Sequence, residues 1–278
     1  MTASLSARAY GSPALHRRVA AIIASLPASF RTTDGRADVV ALDGDGNWTE
    51  RAEEALRKGA RAVVVGDPEA QDARGLLATA ERLGATVALD TPWAHNPAAS
   101  SAATKLSHWL SDAGLLEVEV ISPAGRPILA TLPAQLALVR VLSGPVRAAK
   151  LVAATAHGYT LLGSAEPDTR VKLVTIMTDA RPAAASVRLI GREGSVELSI
   201  PDPSTSRPAH LTVTTPDGST LMPTIFESAR RSVWRATHTA VTTDRPLNDL
   251  GGFVDDGDVI RGLANQLAAL PDHDFDSN

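Results

Sequence analysis

Three short apolar runs that do not alternate constrain this chain more than any other feature. They are ADVVAL at Ala37–Leu42, ARAVVV at Ala60–Val65 and TVALD at Thr86–Asp90. Strands of that kind must be covered on both faces, as in a parallel sheet. Two amphipathic helical stretches separate them, Trp48–Gly59 and Glu69–Leu83, the second stopped by Gly84. Upstream, Leu5–Ala9 reads as a strand. Pro13 then opens a helix over Ala14–Leu26, with Leu15, Val19, Ile22, Ile23 and Leu26 on one face. Strands and helices alternating through short loops predict right-handed crossovers and a Rossmann-like parallel sheet.

The pattern changes after Pro92. Ser100–Ala113 reads as a helix, Leu116–Ser122 as a strand, and Pro133–Leu142 as a helix ending at Gly144. Strands with turn signals follow at Val146–Ala156, Val171–Thr178, Ala184–Ile190, Ser195–Ile200 and His210–Thr215. Two further helices are predicted, Pro223–Thr239 and Asp258–Leu270. Asp255, Asp256 and Asp258 would cap the second, and an acidic tail follows it. The expected fold class is α/β plus α+β. A truncated Rossmann-like parallel sheet occupies residues 1–98, and a mostly antiparallel open-sheet α+β domain occupies residues 99–278.

Composition removes several functions. The net charge of -4 leaves no basic footprint for nucleic acid and no polybasic membrane patch. No cysteine is present, so disulfides, thiolate metal sites and a cysteine nucleophile are excluded. Met1–Tyr10 is too short and too polar for a secretory segment, and no apolar run approaches the roughly 20 residues of a membrane span. A cytoplasmic protein without nucleic-acid or membrane partners is expected. Aromatic residues are 4% of the chain, so its cores must rest on Ala, Val and Leu.

A dinucleotide fold follows its first strand with G-x-G-x-x-G, which lets the backbone approach a pyrophosphate. Here that turn reads Tyr10-Gly11-Ser12-Pro13-Ala14-Leu15. Gly11 alone matches, and Pro13 removes an amide donor from the helix start. The stretch from Leu26 to Asp38 is too short for a strand, a helix and another strand. A crossover alone needs at least about 10–12 residues. Part of the nucleotide-binding half reads as deleted.

Four segments carry a family resemblance. Arg61–Pro97 (RAVVVGDPEAQDARGLLATAERLGATVALDTPWAHNP) follows the order strand, E-K-P, helix, A-x-x-x-G, strand. Ala37–Gly59 (ADVVALDGDGNWTERAEEALRKG) matches a D-x-V-x-I-x-T-P-N-x-x-H segment ending in A-L-x-A-G. Val187–Ile200 (VRLIGREGSVELSI) matches a sheet segment with paired glycines, and Asp256–Leu267 matches a closing helix. In this order and spacing the chain resembles the glucose–fructose oxidoreductase/inositol dehydrogenase family, Gfo/Idh/MocA. The resemblance implies a two-domain NAD(P)-dependent oxidoreductase, and the chain departs from it at both chemical sites. The family's E-K-P lysine falls on Asp67, in Gly66-Asp67-Pro68. The acids of its catalytic D-x-G-x-H-x-x-D fall on Ala130 and Ala137, and the histidine on Ala134. None of these alanines can exchange a proton, and hydride transfer from a carbinol needs a base.

Candidate cofactor contacts are Gly11, Ser12, Asp43, Asn47, Asp67 and Pro68. Asp43-Gly44-Asp45-Gly46-Asn47 ends a strand, where α/β sheets bind ligands. Its acids mimic an EF-hand spacing, but Trp48 stands where that loop needs glycine, so a turn capped by Asn47 is favoured. Candidate proton-transfer residues are His95, which follows Trp93 in Asp90–Asn96, and His157 and Tyr159 in the sheet region. Structural readings compete with each. Trp93 would pack, His95 would be solvated, and His157 and Tyr159 would pack across strands. Arg230, Arg231 and Arg235 read as a solvated helix face.

The leading expectation is a degenerate, non-catalytic pseudoenzyme serving as a structural or regulatory subunit, with no cofactor and no metal. It would assemble through Val171–Met177 and Val187–Leu189 as a homo-oligomer, or as a hetero-oligomer with a complete Gfo/Idh/MocA paralogue. One alternative is an active NAD(P)-dependent oxidoreductase on a sugar-like or polyol substrate, with a rearranged site using His95, His157 or Tyr159. The other is a small-ligand sensor.

Overall fold

The computed structural model describes residues 4–107, 109–110, 113–165, 169–205 and 207–269. The first half runs β1 (Leu5–Tyr10), α1 (Pro13–Ser25), β2 (Phe30–Thr32), β3 (Val39–Asp43), α2 (Trp48–Arg57), β4 (Ala62–Gly66), α3 (Arg74–Leu83) and β5 (Thr86–Asp90). Then come α4 (Pro97–Leu106), β6 (Ala113–Ser122), α5 (Leu132–Ser143), β7 (Val146–Thr155), β8 (Gly158–Ala165) and β9 (Thr169–Met177). The chain closes with β10 (Ala184–Gly191), β11 (Ser195–Pro201), β12 (His210–Thr215), β13 (Gly218–Leu221), α6 (Ala229–Thr243) and α7 (Asp249–Ala268). Two compact units result. One holds the described residues up to His95 together with Ala229–Val254, and the other holds Asn96–Ser228 with those from Asp255 onward. A cut at 98/99 therefore does not describe the units, because α6 returns to the first.

The first unit is a five-stranded parallel sheet in the order β2-β1-β3-β4-β5. Its two faces carry separate cores. Leu15, Val19, Ile22 and Ile23 of α1 join Trp234 of α6 on one face, where Trp234 meets Phe30 edge-on at 5.2 Å. Trp48, Leu56 and Leu76 of α2 and α3 cover the other with Phe253. Ser12 caps α1 by accepting the Leu15 N–H at 3.1 Å, with Pro13 fixing the first helical φ.

The nucleotide half is shortened as expected, but it keeps β2. Thr32 and Val39 both pair with Ala7, from opposite sides of β1. Residues 33–38 alone thus carry the chain across β1, with no helix between. Asp38 fastens this crossing by accepting from Ser6 N (2.8 Å) and Ser6 Oγ (2.5 Å).

The second unit is an eight-stranded sheet in the order β13-β12-β11-β10-β6-β9-β8-β7, antiparallel except for the parallel pair β6–β9. The fold class is therefore a truncated Rossmann-like parallel sheet followed by a mostly antiparallel open-sheet α+β unit. β8 and β13 are strands beyond those expected. α4 starts at its Asn96 cap and ends at Leu106; of the helix expected over Ser100–Ala113, residues 108 and 111–112 lie outside the described residues.

Both C-terminal helices differ from expectation. α6 starts at Ala229 rather than Pro223. α7 starts at Asp249, because Gly251 and Gly252, poor helix formers, hide its first turn in the sequence. Asp255, Asp256 and Asp258 are therefore inside α7 and not its cap. Asp256 is buried and bonds Arg140; burial pushes its carboxyl up to about 6 against that guanidinium. Leu270 and the acidic tail lie outside the described residues. No helix among the described residues is long and apolar enough to cross a membrane.

Candidate active site at the strand ends

In an open parallel sheet the ligand crevice lies beyond the carboxyl ends of the strands, where successive strands leave in opposite directions. That point here is between β1 and β3, because β2 and β3 flank β1. The ends of β1, β3, β4 and β5 bring Gly11 and Ser12, Asp43, Asp67, and Asp90 to this edge.

Gly11 and Ser12 meet Asp43. The Asp43 carboxylate accepts the Ser12 N–H at 2.5 Å and the Ser12 hydroxyl at 3.3 Å. A Cβ on Gly11 would collide with that carboxylate. The start of α1 therefore already serves as an anion site, occupied by a side chain of the chain itself. Gly44 makes the second close approach. Its N–H bonds Gly66 O at 2.8 Å, and a Cβ there would run into Pro68. Pro68 is thus a packing residue of the β3–β4 edge. Asn47 stands apart. It forms no side-chain cap, contrary to expectation, and its amide donates to Glu50 at 3.2 Å.

Asp67 sits in the left-handed region at φ 51°. Arg18 of α1 pairs with it at 2.8 Å, and Arg230 of α6 at 3.2 Å. Burial opposes its charge, but Arg230 and Arg18 hold its carboxyl below the usual range. Arg230 also reaches Asp90 at 3.2 Å. Asp90 is 2% exposed, and burial raises its carboxyl despite that guanidinium. Asp90 Oδ1, Thr91 Oγ1 and Trp93 Nε1 are all buried without a hydrogen-bond partner among the described residues. Three orphaned polar atoms within four residues of one strand end are unusual for a packed core.

His95 is not a solvated histidine. Its Nε2 lies 2.8 Å from Asp249 Oδ2, and the same oxygen accepts the Leu89 N–H at 3.2 Å. Asp249 thereby ties the imidazole to β5. Sequence reasoning missed Asp249 and misread Arg230, whose side chain is only 15% exposed. Neither had a local signal, since each meets its partners across more than 130 residues of chain.

The other candidates stay separate. Tyr159 and His157 share the β7–β8 hairpin, but Tyr159 is buried and His157 exposed. Tyr159 donates to Gln135 Oε1 at 2.8 Å, and burial pushes its phenol up to about 12. Gln135 in turn donates to Val118 O and Val174 O, each at 3.0 Å. α5, where the family's catalytic signature was aligned, is a core helix anchored by this amide. The strands expected to form an exposed apolar face also turn inward. Val171, Leu173, Met177, Val187 and Leu189 are all buried. The opposite face carries Glu117 bonded to Lys172 (3.0 Å) and Arg188 (2.6 Å). No group of residues suited to a metal ion occurs among the described residues.

No family model and no curated relative matches the chain. Solved structures do. A 3-ketoreductase from Actinomadura kijaniata, KijD10, in complex with NADP, matches with a TM-score of 0.73 at 12% identity, over 95% of this chain and 98% of that one. An oxidoreductase from Sinorhizobium meliloti matches with a TM-score of 0.71 at 11% identity, over 96% and 98%. UDP-N-acetylglucosamine 3-dehydrogenase GnnA from Acidithiobacillus ferrooxidans matches with a TM-score of 0.69 at 14% identity, over 96% of each.

The resemblance drawn from the motifs thus holds at the level of the fold. The expectation of a degenerate, non-catalytic subunit does not. The chain spans the full two-unit fold of structures named as dehydrogenases and reductases, and one of them holds NADP. The expectation that no cofactor is needed is overturned by the same comparison. The shortened nucleotide half removes neither the α1 N-terminus nor the crevice, and these are what such a fold offers a dinucleotide.

Proposed function

We propose that the chain is an NAD(P)-dependent oxidoreductase acting on a hydroxyl or ketone of a sugar-like or polyol substrate, with a reaction centre moved away from α5. The observation that carries this reading is the oriented His95–Asp249 pair beside the end of β5, at the edge that also holds the three orphaned polar atoms. The nicotinamide, when bound, supplies or accepts the hydride. The balancing proton must then pass through a side chain, and His95 is of the right type. Asp249 takes the Nε2–H and so fixes the orientation of the ring.

The α1 turn fits an anionic cofactor, because it already binds a carboxylate oxygen. Ser12 N and the missing Cβ of Gly11 would serve a phosphate as they serve Asp43. Asp34 follows β2 roughly twenty residues beyond Gly11, the position of the acid that bonds a cofactor ribose. The Asp67–Arg230–Asp90 cluster stiffens the crevice wall. A cytoplasmic location, where reduced nicotinamide is available, accords with this chemistry.

The test is NADPH and NADH titration by fluorescence, followed by turnover on a panel of keto-sugars and polyols. Binding in the micromolar range and turnover of one panel member are expected. His95→Ala should lower kcat by about 10²–10⁴-fold while leaving nicotinamide affinity within about twofold. Absence of binding by either cofactor at ~1 mM would refute the reading.

A further inference from the structure

Helix α7 is divided between the two units. Its stretch from Asp255 to Ala268 belongs to the second. Little apolar packing holds that stretch. Ile260 and Leu263 are its buried apolar side chains, while Ala264, Asn265 and Ala268 are exposed. Gly257 and Gly262 also weaken the helix itself, because glycine is a poor helix former. A segment with few buried apolar contacts opens locally more easily than the core around it.

Polar contacts to α5 and β7 fix the stretch instead. Asp256, 2% exposed, bonds the Arg140 guanidinium of α5. Gln266 meets β7, an edge strand paired with β8 on its other side. The Leu151 N–H donates to Gln266 Oε1 at 2.8 Å, and Gln266 Nε2 donates to Ala149 O at 3.3 Å. The side-chain amide thus makes the two bonds that a residue of a ninth strand would make. An uncovered strand edge is a template for pairing with another chain. The charged groups around Asp256 are Arg140 of α5 and Asp255 of its own helix. Asp258 is taken up by Arg261, and the β7 cations Arg147 and Lys150 flank the Gln266 contact.

We propose that Asp255–Ala268 is a pH-sensitive cover for the free edge of β7, fastened by Asp256 to Arg140 and loosened when Asp256 ionises. Burial disfavours the ionised carboxyl more than Arg140 favours it, which raises it from 3.8 to about 6 in the closed state, and Asp255 adds to the rise. Once the stretch lifts, the carboxyl is hydrated and returns to its usual value. The closed state therefore holds a proton that the open state has released. Its advantage is full below 3.8 and is lost as pH rises through about 6. The closed-to-open ratio falls by up to about a hundredfold over that span. The protonated carboxyl still accepts from Arg140 without the cost of burying a charge. Release uncovers Ala149 O and the Leu151 N–H. The device lies within the second unit and does not depend on the oxidoreductase reading.

The test is hydrogen exchange of the full chain from about pH 4 to about pH 8, corrected for the intrinsic pH dependence of amide exchange and read on residues 255–268 and at Leu151. Protection of both should fall by about ten- to a hundredfold across that range and level off above about pH 6. Asp256→Asn keeps the buried group uncharged, so its protection should stay flat at the acid level. Asp255→Asn replaces an exposed side chain and serves even if Asp256→Asn does not fold. It should move the levelling-off to lower pH, because a like charge beside Asp256 is gone. Gln266→Ala should strip the protection of Leu151 at every pH while residues 255–268 keep their pH dependence. Protection independent of pH in the wild type, the same fall in Asp256→Asn, or no shift in Asp255→Asn would overturn the switch. Leu151 as protected in Gln266→Ala as in the wild type would overturn the cover.

Discussion

The two units bury polar clusters of opposite kinds. In the first, two carboxylates and two guanidiniums meet at the strand ends, and one Asp90 oxygen has no partner among the described residues. In the second, Gln135, Tyr159, Thr131 and Thr175 form a neutral network, and both Gln135 amide bonds go to main-chain carbonyls of β6 and β9. A neutral, fully bonded network loses little on burial. Burying Asp90 and most of Arg230 loses several kcal/mol of hydration per ion before their attraction offsets it. Fold stability alone explains the Gln135 network, which fixes α5 against the sheet. It does not explain the charged cluster, and that cluster sits where α/β sheets bind ligands. Chemistry sought at Ala130 before α5 and at Ala134 and Ala137 on it is better sought at the ends of β3, β4 and β5.

The comparison breaks most directly at Arg230. Arg230→Ala leaves the buried Asp90 without its cation, and leaves the partly exposed Asp67 to Arg18 alone. A loss of about 2–4 kcal/mol in urea unfolding is expected, nearly all of it from Asp90 because solvent screens Asp67. The pH dependence gives a sign to check. Asp90 is raised in the folded state above 3.8, so the folded chain binds a proton that the unfolded chain has released. Its contribution to stability is therefore greatest at low pH and falls as pH rises through the folded value. Arg230→Ala should extend that fall to higher pH, because the cation opposing the raised carboxyl is gone. Asp67 acts oppositely: it is lowered, so its contribution is present above 3.8 and lost as pH drops through its folded value. Flat stability between pH 4 and 8 in the variant would contradict the assignment.

The neutral network should behave differently. Tyr159→Phe removes one donor to Gln135 and should cost about 1–3 kcal/mol. Because the phenol is pushed up to about 12, that loss should be the same at pH 6 and pH 9. NADPH oxidation should keep its pH profile. A shifted profile would return Tyr159 to the list of proton-transfer residues.

Asp43 gives the smallest and most specific effect. Its carboxylate holds the α1 turn that a cofactor phosphate would need. Asp43→Asn removes a like charge from that turn, so NADPH should bind several-fold tighter, on the order of 1 kcal/mol. Weaker binding would mean that the carboxylate helps position the turn rather than competing for it.

Most strands of the parallel sheet were legible because their apolar runs are continuous. β2 was not. Only Phe30 of its three residues is buried, so neither a run nor an alternation marks it. The strand exists because Leu5, Ser6 and Ala7 offer a free edge and Phe30 finds Trp234. Gly11, Ser12, Asp43 and Asp67 were correctly placed at the strand ends, since they follow apolar runs directly. Their partners Arg18 and Arg230 were not legible, because a guanidinium on a helix reads as solvated until a buried carboxylate faces it.

The sequence by itself determined the parallel sheet, the shortened nucleotide half and the antiparallel second unit. Each is written in local periodicity, and burial of apolar surface follows that periodicity wherever the chain goes. Tertiary structure alone decided which charges are buried and what holds them. Asp249 reaches His95, Arg230 reaches Asp67 and Asp90, and Asp43 fills the α1 turn through approaches that no spacing encodes. Ion pairs and hydrogen bonds act over a few ångströms of space, so the site could be read only once the strands had been brought side by side.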